Sequence, residues 1–397
     1  MSIKRIGIDA RFYGPLGKGL GRYVQELVDN AINIDQDNEY VIFLGRENYD
    51  EFTIAPELAG RVKKVMAPVK WYGLKEQILM PFYFWRAKLD LLHVPHFNVP
   101  WFLPCPLVVT IHDLILTKFP TQRASTLNPW LYRLKDFAYR QIIASALKKA
   151  KKIIAVSQFT KNDIVEQFKI NPTKIIVTYE GVANLAKGND SLFVKKIDAG
   201  VALKKYRIPD NFLLYIGNAY PHKNLEGWLN AFKELHRDYP DLGLVLVGKP
   251  DYFYNRVKAR AEELDLYQAD SQSSVVIFPG YVPDQELELL YQKARAYIFP
   301  SFYEGFGLPP LEAMAKGCPV VSSDRSSLPE ILGDAALYFN PDSISSMVEQ
   351  VKKVLVDDDL RTELINKGRQ QVKLYSWWDL AYQTVNLYQV ILYGKAA

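Results

Sequence analysis

Residues 301–319 read Ser-Phe-Tyr-Glu-Gly-Phe-Gly-Leu-Pro-Pro-Leu-Glu-Ala-Met-Ala-Lys-Gly-Cys-Pro, which sets two carboxylates, Glu304 and Glu312, on either side of a glycine-broken helix start. A carboxylate accepts two hydroxyl hydrogen bonds at once, so a pair of them suits the vicinal diols of a ribose and a hexose. The apolar, aromatic run Ala296–Pro300 predicts a buried strand, and Leu311–Lys316 predicts a helix that Gly317 ends. Glu304 then lies in the strand-to-helix loop and Glu312 about one turn into the helix. Pro309 and Pro310 suit a first helical turn, which directs the amides of Gly305, Phe306, Gly307 and Leu308 to hydroxyl or phosphate oxygens at the positive helix end. Two sugars joined by a diphosphate would meet all of these groups.

Three further loops carry chemistry. Gly217-Asn218-Ala219-Tyr220-Pro221-His222-Lys223-Asn224 precedes the helical stretch Leu225–His236, so Lys223 and nearby amides would neutralise a departing pyrophosphate. Gly14-Pro15-Leu16-Gly17-Lys18-Gly19-Leu20-Gly21 opens a helix after the first strand, and its backbone amides can approach a diphosphate closely. That loop lacks both G-x-G-x-x-G spacing and a Walker ending, which argues against nicotinamide and ATP. Thr110-Ile111-His112-Asp113-Leu114 ends another strand; Asp113 is expected to orient His112, which would donate to a sugar hydroxyl. His93 and His96 lie in a proline-rich stretch without a carboxylate cluster and read as structural or acceptor-side residues. Asp35 and Asp37 have D-x-D spacing but follow a helical segment, so they are expected in solvent and not on a metal.

The elements that must position these groups alternate along the chain. Strand-like runs fall at Arg5–Asp9, Tyr40–Leu44, Val62–Met66, Leu91–Val94, Leu107–Ile111, Lys152–Val156 and Lys174–Thr178. After a connecting segment over 183–210, with Lys187, Gly188, Asn189, Asp190 and Gly200, a second series follows: Phe212–Ile216, Leu244–Val247, Val275–Phe278, Ala296–Phe299, Pro319–Ser322 and Ala336–Phe339. Two β-α series in 397 residues predict an α/β protein of two doubly wound, parallel-sheet domains, with ligands beyond the carboxyl ends of the strands. The domains are expected at residues 1–185 and 205–375, and Ser376–Tyr393, extending to residue 397, should cross back onto the first.

Charge is divided unevenly. Residues 1–200 carry 28 Lys/Arg against 19 Asp/Glu, and residues 201–397 carry 21 against 25. Within the basic half, Lys63, Lys64, Lys70, Lys75, Arg86 and Lys88 accompany Trp71, Tyr72, Phe82, Tyr83, Phe84 and Trp85, with Arg133, Lys135, Arg140, Lys148 and Lys149 further on. This composition fits either a solvated face over an aromatic core or a surface drawn to anionic lipid or a pyrophosphate-linked acceptor. No nucleic-acid module is present. Residues 91–112 lack Asp, Glu, Lys and Arg, yet Pro95, Pro100, Pro104 and Pro106 would break a membrane-spanning helix. Met1–Ala10 reads as a strand and not as a secretory leader, and the two distant cysteines, Cys105 and Cys318, are expected as free thiols in a reducing, cytoplasmic compartment.

Lys223-Asn224, Glu304 and Glu312 with seven residues between them, His112-Asp113 and the opening glycine loop together resemble glycosyltransferase family 4, the retaining GT-B enzymes, over nearly the whole chain. Glu304-Gly-Phe-Gly-Leu-Pro-Pro-Leu-Glu312-Ala-Met-Ala and Ser326-Ser327-Leu328-Pro329-Glu330 are most similar to mannosyltransferases of bacterial surface-polysaccharide assembly. The resemblance implies two Rossmann-like domains facing a central cleft, and retaining, metal-independent transfer of a hexose from a nucleotide-sugar. It implies that Glu304 contacts the transferred sugar, Gly305 to Gly307 its hydroxyls and phosphate, Glu312 the ribose, Lys223 the diphosphate and His112 the sugar near the reaction centre. Gly17, Gly19, Asn218, His222, Phe306 and Leu308 complete the expected donor contacts. Many relatives place an arginine in the Gly217–Lys223 loop, where this chain has Asn218 and His222, so the phosphate charge would rest more on Lys223. GDP-mannose is the expected donor, with UDP-hexoses next. The expected acceptor is a saccharide or a polyprenyl-diphosphate-linked glycan, at the inner face of an anionic membrane. An epimerase-like or phosphorylase-like GT-B enzyme and a silent nucleotide-sugar binder are the alternatives.

Overall fold

The computed structural model describes residues 2–119, 129–182, 199–269 and 274–394. The chain divides into two compact units, Met1–Gly181 with Tyr375–Ala397, and Val182–Leu374.

In the first unit the strands are β1 (Arg5–Asp9), β2 (Glu39–Leu44), β3 (Val62–Met66), β4 (Leu91–Val94), β5 (Leu107–Ile111), β6 (Lys152–Ala155) and β7 (Ile175–Val177). They form one parallel sheet in the order β3-β2-β1-β4-β5-β6-β7. Helices cover both faces of such a sheet, so its strands are continuous apolar runs; every residue of β5 is buried. The segment without acidic or basic residues thus becomes β4, β5 and the loop between them. No described helix is long and apolar enough to cross a membrane.

The strand order reverses between β1 and β4, and ligands of doubly wound sheets bind at such a reversal. Helix Lys18–Ile34, which follows β1, buries Tyr23, Val24, Leu27, Val28 and Ala31. The last helix, Trp377–Tyr393, is capped by Ser376 and packs along it within the same unit. Tyr388 of this helix shares a 2.5 Å hydrogen bond with His93 Nδ1, and His93 Nε2 lies 2.8 Å from Thr110 Oγ1. Burial, with a smaller contribution from His112, pushes His93 down to about 3, so it stays neutral and serves as a strut. Asp35 is not in solvent as its spacing suggested: it is 3% exposed and accepts from Asn38 Nδ2 and Tyr40 Oη at 2.9 Å, closing the turn into β2.

The second unit contains β8 (Phe212–Ile216), β9 (Gly243–Val247), β10 (Val276–Gly280), β11 (Ala296–Phe299), β12 (Val320–Ser323) and β13 (Ala336–Phe339). This parallel sheet runs β10-β9-β8-β11-β12-β13 and reverses between β8 and β11. Helix Ala199–Lys205 occupies part of the expected connecting segment. Lys187, Gly188, Asn189 and Asp190 lie outside the described residues, as do the side chains of Arg133 and Lys135. Cys105 and Cys318 are free thiols, each pushed up to about 12 by burial.

Candidate active site

β8 and β11 are parallel neighbours, with Leu213 opposite Ala296 and Leu214 opposite Tyr297, so the loops after them leave the sheet side by side at its reversal point. The β8 loop passes through a 3-10 turn, Pro221–Lys223, and Asn224 at φ 56° before helix Leu225–Asp238. The β11 loop ends at Gly307, whose φ of 110° is glycine territory and where a Cβ would stand 2.9 Å from Leu328 Cδ2. Helix Leu308–Ala315 follows with both prolines in its first turn.

The two loops meet through an ion pair. Lys223 Nζ donates to Glu304 Oε1 at 2.5 Å, with the two side chains 11% and 10% exposed. The ammonium also lies 5.3 Å from the Phe299 ring. The loop after β12 fixes the Glu304 backbone from the other side: Glu304 N donates to Ser326 Oγ at 2.9 Å, and Ser327 Oγ donates to the carbonyls of Glu304 and Phe306. Glu304 is therefore held at both backbone polar groups while its second carboxylate oxygen is left for a hydroxyl.

The other expected residues of the β8 and β11 loops and of the helix that follows β11 differ in what they offer. His222 is 6% exposed and pushed down to about 4, first by burial and then by Lys223, so it is neutral and brings no charge to a phosphate. Asn218 shapes its own turn, its Oδ1 accepting from Tyr220 N and its carbonyl from Tyr215 Oη. Gly305, Phe306 and the half-buried Glu312 each already have partners within the protein.

In the first unit, His112 stands at the carboxyl end of β5. Its Nδ1 lies 3.0 Å from Glu180 Oε1 and its Nε2 lies 3.1 Å from the Pro95 carbonyl. Both ring nitrogens therefore face acceptors within the first unit, so neither is left to donate to a sugar hydroxyl as the sequence suggested. The carboxylate that orients His112 is Glu180, after β7, and not the adjacent Asp113, whose Oδ1 accepts from Ile115 N at 2.9 Å. The Tyr23 ring packs edge-on at 4.5 Å and restricts the imidazole plane.

The glycine loop is tighter than its composition suggested. Gly17 donates its amide to Gly14 O, closing a 3-10 turn, so that amide is already used. A Cβ at Gly21 would fall 2.1 Å from Gly14 O, whereas one at Gly19 would meet nothing within 4 Å. Gly19 lies in the first turn of Lys18–Ile34, where amides lack helical acceptors, and is the loop's open point.

Sequence reasoning missed Glu180 and the bracing role of Ser326 and Ser327. The sequence signal for Glu180 was its place just past a strand's carboxyl end. Among the described residues no group of three His, Cys, Asp or Glu is placed to hold a metal ion.

Residues 17–183 match the model of Glycosyltransferase Family 4 and residues 202–371 that of Glycosyl transferases group 1, and the chain belongs to this family, the glycosyltransferases of glycan biosynthesis. Among particular proteins, it is 29% identical to O-antigen chain mannosyltransferase B of Escherichia coli, over 94% of this chain and 96% of that protein. It is likewise 29% identical to the serotype-specific mannosyltransferase WbdA of Escherichia coli over 74% of this chain, but spans only 34% of that longer protein. Of solved structures, sucrose-phosphate synthase from Thermosynechococcus elongatus superposes with a TM-score of 0.71 at 17% identity over 99% of this chain and 100% of that one. Anabaena Alr3699/HepE in complex with UDP and glucose gives 0.69 at 15% identity over 98% and 100%. These neighbours have the GT-B fold.

Proposed function

We propose that the protein transfers a mannosyl group from GDP-mannose to a saccharide or polyprenyl-diphosphate-linked glycan, retaining the anomeric configuration and needing no metal ion. The buried Lys223–Glu304 pair at the sheet's reversal point carries this reading. The sugar preference is supported by the mannosyltransferases among its relatives.

Lys223 spends one of its three N–H bonds on Glu304, so two remain for a diphosphate. The glycosyl C1–O bond to the leaving phosphate breaks as the ammonium stabilises the departing charge, and the acceptor oxygen bonds to C1 on the same face of the ring. The leaving phosphate takes the acceptor hydroxyl's proton, and the state between is oxocarbenium-like. Glu304 holds hydroxyls of the transferred sugar and Glu312 holds the ribose diol.

The test is GDP release and product NMR from GDP-mannose with a lipid-linked saccharide, run in chelator, beside UDP-glucose and the Glu304→Gln variant. An anomerically retained product formed in chelator and lost in the variant is expected. An inverted product, or activity abolished by chelator, would overturn the mechanism; turnover of UDP-glucose alone would overturn the donor.

A further inference from the structure

Asn224 opens helix Leu225–Asp238, a place where an asparagine side chain usually accepts from a first-turn amide. Here its carbonyl takes Trp228 N at 2.9 Å, the first bond of the helix, but its side chain caps nothing. The side-chain amide turns away and donates to Pro341 O, two residues past β13, at 3.0 Å. That bond is buried, with Asn224 8% exposed, and it spans 117 residues of sequence. The backbone is unusual too: φ 56° and ψ 33° put Asn224 in the left-handed region, which asparagine enters at less cost than most side chains.

Gly227 makes room for this side chain. A Cβ there would stand 2.2 Å from Asn224 Oδ1 and 3.0 Å from its Cγ, so the amide keeps its direction only because residue 227 has no side chain.

The diverted bond closes a ring around the ion pair. On one side of Lys223, His222 O accepts from Phe302 N at 2.8 Å, which ties the β8 loop to the β11 loop. On the other side, Asn224 ties the same loop to Pro341. Beside Pro341, Asn340 Oδ1 accepts from Arg325 Nη2 at 2.9 Å, and Ser326, next to Arg325, accepts the Glu304 amide. Lys223 Nζ completes the circuit on Glu304 Oε1. Lys223 is thus anchored one residue to either side, in a single set of bonds shared by the loops after β8, β11, β12 and β13.

We infer that Asn224 is a positioning residue for the transfer: its left-handed backbone and its bond to Pro341 O fix the Lys223 ammonium where charge develops on the departing diphosphate. The inference rests on that reading of Lys223. A lysine's flexible four-carbon stem carries its charge no more accurately than the backbone beneath it is held. Stabilisation of a leaving group depends on that placement being made before the reaction, not during it.

Steady-state turnover of GDP-mannose by three variants tests this, with kcat counted per GDP-binding site from calorimetry so that any unfolded fraction drops out. Asn224→Gly keeps the left-handed turn but loses the bond to Pro341, and about a tenfold fall in kcat is expected. Asn224→Ala loses both, and kcat should fall about 100-fold while KM for GDP-mannose rises by no more than about threefold. Gly227→Ala, ordinarily a favourable change in a helix, should match Asn224→Gly by pushing the side chain off Pro341. Unchanged kcat in Asn224→Ala, beside a Lys223→Ala variant that loses turnover, would overturn the inference and leave the reading of Lys223 intact. A loss carried wholly by KM would overturn it as well. Full turnover in Lys223→Ala would overturn both.

Discussion

Each parallel sheet has a buried cation beside carboxylates at its reversal point, and the two cations are used to different extents. In the first unit Arg11, two residues past β1, spends four of its five N–H bonds. Its Nε and one terminal nitrogen grip Asp9, the same terminal nitrogen reaches Glu76 at 2.7 Å, and the other donates to Val69 O. Its side chain is 1% exposed, those of both carboxylates 0%, and Trp71 lies 3.8 Å above the guanidinium. In the second unit Lys223 has a single carboxylate partner and hydrogens to spare. A water-excluded cation with nearly all its hydrogens spent can only hold structure together, whereas one with most of its hydrogens free can exchange partners when a ligand arrives. Similar placement on similar sheets therefore does not confer similar roles.

The sharpest way to break this contrast is Arg11→Leu. It strands Asp9 and Glu76 as buried charges and should cost about 3–5 kcal/mol of unfolding free energy in urea. A loss below about 1 kcal/mol would mean the triad is not a structural clamp. Lys223→Ala should show the reverse pattern, with turnover down about 100- to 1000-fold in a GDP-release assay. Its stability loss should be less than half that of Arg11→Leu. Equal stability losses would erase the distinction.

Acid should weaken the protein through the neutral strut His93. Its folded pKa of about 3 lies below the unfolded value of 6.5, so its contribution is complete above pH 6.5 and is lost as pH falls toward 3. Near pH 4.5 this amounts to about 2–3 kcal/mol, read from urea midpoints, and His93→Asn should flatten the slope. The smallest effect is expected for Glu312→Ala: roughly tenfold weaker GDP binding by calorimetry, as one carboxylate–diol contact goes, with unfolding unchanged. A Glu312→Ala variant that binds GDP normally would remove the ribose from that carboxylate.

Much of this was legible because it is local. Strands such as Leu107–Ile111 and Phe212–Ile216 are short apolar runs between breakers, and a parallel sheet buried on both faces requires that pattern. The glycines and prolines around Glu304 likewise mark a strand-loop-helix junction in any context. His112 was legible as a position but not in its partner, since Glu180 lies 68 residues away and Asp113 is adjacent. Asp35 read as solvated because a short polar run looks alike whether or not its side chains close on one another.

The sequence by itself determined two β-α series, the turns that end their strands, and the placing of Lys223 and Glu304 in two such turns, because each depends on residues within a few positions of one another. Tertiary structure alone decided that those turns are neighbours, 81 residues apart in sequence yet joined at 2.5 Å, because β11 pairs with β8. It also decided which face of Leu74–Ala87 is core and which is surface: a helix apolar on both sides carries no contrast in its own sequence, and only the sheet packed against one side supplies it.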